Sequence, residues 1–262
     1  MTIQLHITTF KRPEWCFYLL QQIKEQQGEH KINVVVFHDK CNSDYSDSIK
    51  FCKSNGWKFL TTNKNLGKWK YWKLLNKSYD YAQNKEYDYF ICLPDDIILV
   101  DDFFNRCIKM PTSRYPMINF FTVNKHYVDY TLTKKIENID GIQYFTSGWV
   151  DCCFIALPKF MKGLKLGEPQ ASVRRNNLRG TGCAHELITY YACKFGPKPS
   201  LQTVYALCEH IGNIKTVMHE EWRKQHLYKN QIRELDPLKM YLHEDDKEFI
   251  EQKIAEFKIK RI

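Results

Sequence analysis

Two carboxylates stand side by side at Asp95 and Asp96, directly after the run Tyr89-Phe90-Ile91-Cys92-Leu93 and a proline, Pro94. The run mixes aromatic and branched residues over the length of one strand, and the proline closes it. Adjacent anions at the C-terminal edge of a buried strand repel each other unless a cation, a proton donor or open water relieves them. Carboxylate oxygens suit Mg²⁺ or Mn²⁺, so a hard divalent ion shared with a phosphorylated ligand is the first chemistry to consider. Asp101 and Asp102 pose no such problem. They precede Phe103-Phe104-Asn105-Arg106-Cys107-Ile108 and are expected to form the N-cap and first turn of a helix.

The elements that must position the pair alternate between strand and helix. Ile3-Thr8, Ile32-Phe37, Trp57-Leu60 and Tyr89-Leu93 have strand character. Between them Pro13-Gln26, Asp47-Asn55 and Trp69-Asn84 have helical spacing, with Trp15, Leu19, Leu20 and Ile23 on one face of the first. In the third, Trp69, Trp72 and Leu75-Asn76 are expected to form a core face. This order predicts right-handed βαβ units. Further on, Met117-Val123, Gly141-Thr146, Cys152-Leu157 and Thr203-Cys208 read as strands. Pro158-Gly163 and His185-Lys194 read as helices, Ala171-Gly182 as a mobile loop, and the charged tail from Glu220 as mostly helical. No repeat or linker interrupts the chain, so residues 1–262 are expected to form one domain. In open sheets of this kind ligands bind beyond the carboxyl ends of the strands, which gathers residues 8–12, 38–40, 63–68 and 94–96 around one crevice.

Composition narrows the classes. With 44% hydrophobic and 26% charged residues the chain is globular, and no apolar run nears the roughly 20 residues of a membrane helix. The N-terminus lacks a signal-peptide pattern, and a cytoplasmic location without membrane insertion is expected. Ten cysteines occur without a single C-x-x-C, and Cys92, Cys152, Cys153 and Cys208 lie in apolar runs, so buried free thiols are expected. The net charge of +9, concentrated at Lys64-Lys77, Arg174-Arg179 and Lys258-Arg261, favours anionic partners. Neither G-x-G-x-x-G nor a P-loop follows the first strand, so phosphates must be neutralised by other means.

In "TTFKRPE", "VVFHDK", "NKNLGKWKYWKLLN" and "YFICLPDDI" the chain resembles the nucleotide-sugar-dependent glycosyltransferases of GT-A fold, of the broad family-2 type. The last segment stands in the place of that family's D-x-D motif, with Pro94 before only two acids. Two later segments, "GTGCAHELITYYA" and "ALCEHIGNIKTVMH", resemble the stretches that carry the catalytic base and a late histidine. The resemblance implies an α/β, Rossmann-like domain with a mostly parallel central sheet flanked by helices. Residues 1–110 would bind the nucleotide-sugar donor, expected to be a UDP-sugar, and residues 111–262 the acceptor. Asp95 and Asp96 would hold Mn²⁺ or Mg²⁺ and ribose, with His210 completing the metal shell or His219 substituting. Asp39 would face the base or ribose. Asn65, Gly67 and Lys68 would form one wall of the nucleotide site, and Thr8 and Arg12 the other. Glu186 is the expected base, Asp151 the second choice, and Trp149 a stacking surface.

Two other classes compete. A nucleotidyltransferase usually has a glycine-rich loop after its first strand, and "TTFKRPEW" has no glycine. A non-catalytic nucleic-acid-binding protein is suggested by Trp69, Tyr71 and Trp72 among lysines. For a transferase, the basic charge points to a polyanionic acceptor, with DNA carrying hydroxymethylated bases, the substrate of phage-type modifying enzymes, as the expectation. A polysaccharide on a lipid carrier or a protein would be the alternatives.

Overall fold

The computed structural model describes residues 1–122, 136–147, 150, 152–170, 181–196, 200–211 and 240–259. The strands are β1 (Thr2–Thr9), β2 (Lys31–His38), β3 (Lys58–Thr61), β4 (Tyr89–Pro94), β5 (Ile97–Leu99), β6 (Met117–Asn119), β7 (Ile136–Ile139), β8 (Ile142–Ser147), β9 (Phe154–Ala156), β10 (Ser200–Thr203) and β11 (Cys208–His210). The helices are α1 (Pro13–Glu25), α2 (Ser46–Ser54), α3 (Tyr71–Gln83), α4 (Phe103–Ile108), α5 (Pro158–Met161), α6 (Cys183–Phe195) and α7 (Glu244–Ile259).

One nine-stranded sheet runs in the order β3-β2-β1-β4-β9-β6-β10-β8-β7, and β5 and β11 form a separate antiparallel ribbon. β3, β2, β1 and β4 are parallel, as the alternating pattern predicts. Beyond β4 the sheet is mixed: β9 is antiparallel to both β4 and β6, while β6 and β10 are parallel. β1 explains the layering. Ile3, Leu5 and Ile7 join the apolar core that includes Trp15, Leu19, Leu20 and Ile23 of α1. On its other face Gln4, His6 and Thr8 are buried too, with His6 Nδ1 2.7 Å from the Ser78 hydroxyl of α3. Both faces of the central strand are therefore covered.

The tail helix α7 docks on α1. The Tyr18 hydroxyl donates to the Lys253 carbonyl at 2.8 Å, and Phe257 packs against the rings of Trp15 and Tyr18. All ten cysteines are free and most are buried, as expected. Among the described residues no helix is long and apolar enough to cross a membrane.

Several local expectations are corrected. Trp69 is 44% exposed and lies in a 3₁₀ turn, Lys68–Lys70, ahead of α3, so the core face of that helix begins at Leu74. Asp102 occupies the N-cap position of α4 but adopts a left-handed conformation (φ 54°) and makes no capping bond. The side chain of Gln26, the C-cap of α1, accepts the Phe103 N–H instead, at 3.0 Å. The expected strand Thr203-Cys208 is a crossing between two sheets. All its residues but Tyr205 are buried, yet the Val204 N–H donates to Gln143 and the Ala206 N–H to Tyr241, outside any ladder. β5 and β7 were not anticipated, being a three-residue strand and a polar edge strand.

α3 is tied to the second half of the chain by a buried amide. Asn76 donates from Nδ2 to the Leu166 carbonyl and accepts the Leu166 N–H at Oδ1, both at 2.8 Å. Asn76→Ala strands both backbone groups, each costing about 1–3 kcal/mol when buried without a partner. We expect denaturant unfolding to show a loss of roughly 2–4 kcal/mol, larger than for Asn84→Ala, whose side chain bonds only within its own helix end.

Candidate active site

Chain order reverses across the sheet between β1 and β4, so the loops after these two strands diverge and leave a crevice at their carboxyl ends. The loop after β1 carries Arg12 and the loop after β4 carries Asp95 and Asp96. They meet across the crevice. Nη2 of Arg12 lies 2.5 Å from Oδ1 of Asp95, and its Nη1 donates to Oδ2 of Asp96. Thr9 Oγ1 donates to the other oxygen of Asp95 at 2.6 Å. Both carboxylates are buried, Asp95 completely.

The β5–β11 ribbon brings a histidine to the pair. His210 lies opposite Ile97, the Ile211 N–H donates to the Asp96 carbonyl at 2.9 Å, and His210 Nε2 sits 3.0 Å from Asp96 Oδ2. Burial opposes charge on both acids. At Asp96 the pull of Arg12 and of His210 prevails and holds the carboxyl below the usual range. At Asp95 burial prevails: its pKa is pushed up to about 7, with Arg12 opposing and the adjacent Asp96 charge adding to the rise. One guanidinium cannot neutralise two carboxylates, and the pair sheds its surplus charge at the more deeply buried member.

Asp39, at the end of β2, organises the neighbouring wall. Its Oδ1 accepts from the Leu66 N–H at 2.8 Å and from the Thr62 hydroxyl at 3.2 Å, and its Oδ2 accepts from the Gly67 N–H at 3.1 Å. Asn65 closes the same turn, donating to the Lys40 carbonyl at 3.0 Å. Gly67 needs its glycine because φ is +71°, a region that side chains disfavour. Lys68 follows with its ammonium over the exposed Trp69 ring at 5.0 Å, an aromatic that periodicity had assigned to the core. Thr8 is tied to this wall through its hydroxyl, 2.7 Å from the Tyr71 hydroxyl at the start of α3.

Glu186 lies in the first turn of α6, its side chain 18% exposed, with Oε1 3.7 Å from His185 Nδ1. Its Oε2 lies 3.5 Å from where a side chain on Gly167 would begin, so that glycine leaves it room. Gly167 follows Leu166, the residue clasped by Asn76, so α3 contacts Thr8 at one end and the Glu186 surroundings about 7–8 Å further along its axis. Trp149, Asp151, Arg174, Arg175, Arg179 and His219 lie outside the described residues. Sequence reading missed Thr9 and Tyr45, whose hydroxyls are 2.8 Å apart behind the pair, because nothing in their spacing marks them.

Among the described residues no three His, Cys, Asp or Glu side chains assemble as a metal cage, so Asp95, Asp96 and His210 are not by themselves a finished three-ligand set. In kind, the donors suit a hard divalent ion: two carboxylates with an imidazole at the rim. Asp95 Oδ1 is buried against the Arg12 guanidinium yet accepts no aligned hydrogen bond, so its lone pairs are only partly satisfied.

The architecture is that of the GT-A fold. Among solved structures, glucosyl-3-phosphoglycerate synthase from Mycobacterium tuberculosis in complex with Mn²⁺, UDP and phosphoglyceric acid superposes with a TM-score of 0.51 at 10% identity, covering 80% of this chain and 70% of that one. A crystal structure of a mycobacterial protein gives 0.50 at 10% identity, covering 80% and 67%. No family model matches the sequence, and no curated protein matches it. At such identity the likeness establishes the fold.

The carboxylate pair has a pH signature. The folded pKa of Asp95, about 7, lies above the ordinary 3.8, so between these values the folded protein keeps a proton that the unfolded chain has released. Raising pH across that window therefore removes stability, by at most about 1.4 kcal/mol per pH unit. Asp96 acts oppositely and lower, its stabilisation being lost as pH falls through the acid range. We expect wild type without divalent cations to lose more stability from about pH 4 to about pH 7 than Asp95→Asn does. Parallel pH–stability curves would contradict this.

Proposed function

We propose that the protein is a metal-dependent glycosyltransferase that moves a hexosyl or pentosyl group from a nucleotide sugar, most simply a UDP-sugar, to an acceptor hydroxyl. The observation that carries this reading is the buried carboxylate pair at the switch point of a GT-A sheet. The similarity to a synthase crystallised with Mn²⁺ and UDP supports it. Asp95 and Asp96, with His210 beside them, are the residues that would hold Mn²⁺ or Mg²⁺. When bound, the ion would supply Lewis-acid neutralisation of the diphosphate leaving group.

The remaining work falls to the chain itself. Residues 1–110 bind the donor: the 65–67 turn held by Asp39, together with Lys68 and Thr8, forms the wall for the nucleoside, and Arg12 faces its phosphates. Residues 111–262 bind the acceptor. Glu186 takes the proton from the acceptor hydroxyl, and its partly open position lets it reach a substrate. Asp151 is the alternative base, and Trp149 stacks on the sugar or base. A polyanionic acceptor, DNA with hydroxymethylated bases above others, is read from the +9 charge and from Lys64, Lys70, Lys73 and Lys77, all exposed beside the nucleotide wall. Arg174, Arg175 and Arg179 would extend that basic surface.

Hydrolysis of a panel of UDP- and GDP-sugars, with Mn²⁺ and then with excess chelator, tests the reading. One donor should be cleaved, and chelation or Asp96→Ala should abolish cleavage; full turnover in chelator would refute the metal. Glu186→Gln should slow transfer by roughly 10²- to 10⁴-fold with donor affinity little changed. Near-normal transfer by Glu186→Gln, with Asp151→Asn inactive, would exchange their roles.

The acceptor has a separate test. Duplex DNA binding should weaken with salt at a log–log slope of roughly −0.9 per phosphate contacted. No DNA affinity at low salt would exclude DNA and leave a lipid-carried polysaccharide or a protein.

A further inference from the structure

Arg12 is built into the crevice. The preceding residue, Lys11, takes a left-handed conformation (φ 57°), which bends the chain at the end of β1 and turns Arg12 back over the strand ends. The guanidinium lies over the Trp15 ring, 6.0 Å from its centroid. The Arg12 N–H donates to the Tyr45 hydroxyl at 3.0 Å. Because Thr9 gives its proton to Asp95, the Tyr45 hydroxyl must donate to Thr9. Donors therefore run in one direction, from the Arg12 backbone through Tyr45 and Thr9 to Asp95. The forked head closes the circuit on Asp95 and Asp96.

We infer that Arg12 is the resident counter-cation of the pair and must release it before a divalent ion can bind. The ion is then taken up together with a nucleotide diphosphate, to which the freed guanidinium turns. The inference rests on the metal reading above. A guanidinium touching both carboxylates already occupies oxygens that an ion would need, and two cations a few ångströms apart repel strongly at low dielectric. Withdrawal without a new anion would leave Arg12 poorly paired, its Nε being buried and without a hydrogen-bond partner. A diphosphate removes that cost because it matches the planar fork as a carboxylate does. Metal and diphosphate thus depend on each other through Arg12, beyond their mutual attraction in solution.

Binding, independent of turnover, tests this. Free Mn²⁺ is followed by electron paramagnetic resonance as protein is added, with and without UDP, for wild type, Arg12→Met, Arg12→Lys and Asp96→Asn. Without UDP, Arg12→Met should bind Mn²⁺ about 10- to 100-fold more tightly than wild type, the scale of removing one unit charge at contact distance. Arg12→Lys keeps the charge that the fold experiences but cannot fork across both acids, and should show a smaller gain. In both variants UDP should enhance Mn²⁺ binding less than in wild type. Should Arg12→Met fail to fold, Arg12→Lys decides alone. Unchanged or weaker Mn²⁺ binding in folded variants, with wild type binding Mn²⁺ and Asp96→Asn failing to, overturns the inference and leaves the metal reading intact. If wild type binds no Mn²⁺ even with UDP, both fall.

Discussion

Two adjacent carboxylates held out of water by a single guanidinium are the constraint around which the molecule is arranged. Burying an ion costs several kcal/mol even after the protein relaxes, and the cost is recovered only where geometry is good and lone pairs are satisfied. Here satisfaction comes from two loops and a ribbon. Thr9 and Arg12 come from the end of β1, Tyr45 from the approach to α2, and His210 from β11. Each must arrive within hydrogen-bond distance, so the parallel order β2-β1-β4 and the docking of β11 on β5 are both required. These contacts do not neutralise both acids, and the raised pKa of Asp95 records the proton that takes up the remainder.

The rest of the scaffold serves this geometry through a few polar clasps within a large apolar core. α1 is fixed to the far side of the pair by its glutamines: Gln22 accepts the Leu99 N–H and Gln26 the Phe103 N–H, both at 3.0 Å. These bonds satisfy backbone groups that a three-residue strand and a short helix cannot satisfy internally. On the other face α3 performs the same service, holding Thr8 through Tyr71 and the 164–167 segment through Asn76. Apolar burial supplies most of the stabilising free energy, while these directional contacts select which arrangement it stabilises.

How much of this was legible in the sequence depends on the range of the interaction. β1 through β4, and α4 after them, follow from local pattern, because apolar spacing and Pro13 at a helix start act within a turn or two. The end of the 3₁₀ turn before α3 did not follow, since periodicity cannot tell that Trp69 precedes the helix that buries Leu74 and Leu75. β5 and β11 are three residues each and exist only because they pair with each other across more than a hundred residues. In the site, Asp39, Asp95 and Asp96 were visible as acids at strand ends. Of their partners, His210 was expected and lies 3.0 Å from Asp96, whereas Thr9 was not. Arg12 was expected at a nucleotide wall, and the structure sets it between the two acids, a contact only the folded sheet can make.

The distribution of charge follows from the same constraint. Outside the crevice the chain is basic, with exposed lysines along 64–77 and a net charge of +9. Inside, two buried acids share one guanidinium, and the focus turns negative as Asp95 releases its proton near pH 7. A long-range positive field draws polyanions toward the surface, and its reach shrinks with added salt. At close range the buried acids reverse the sign, so an anion arriving alone would meet repulsion where it must dock. An anion accompanied by a divalent cation would find the surplus charge compensated. On the proposed function the basic exterior would concentrate anionic ligands, and the acidic interior would discriminate among them by the cation they bring. Neither property requires a glycine-rich phosphate loop, and this explains how "TTFKRPE", with no glycine, can stand at the position where other α/β folds place one.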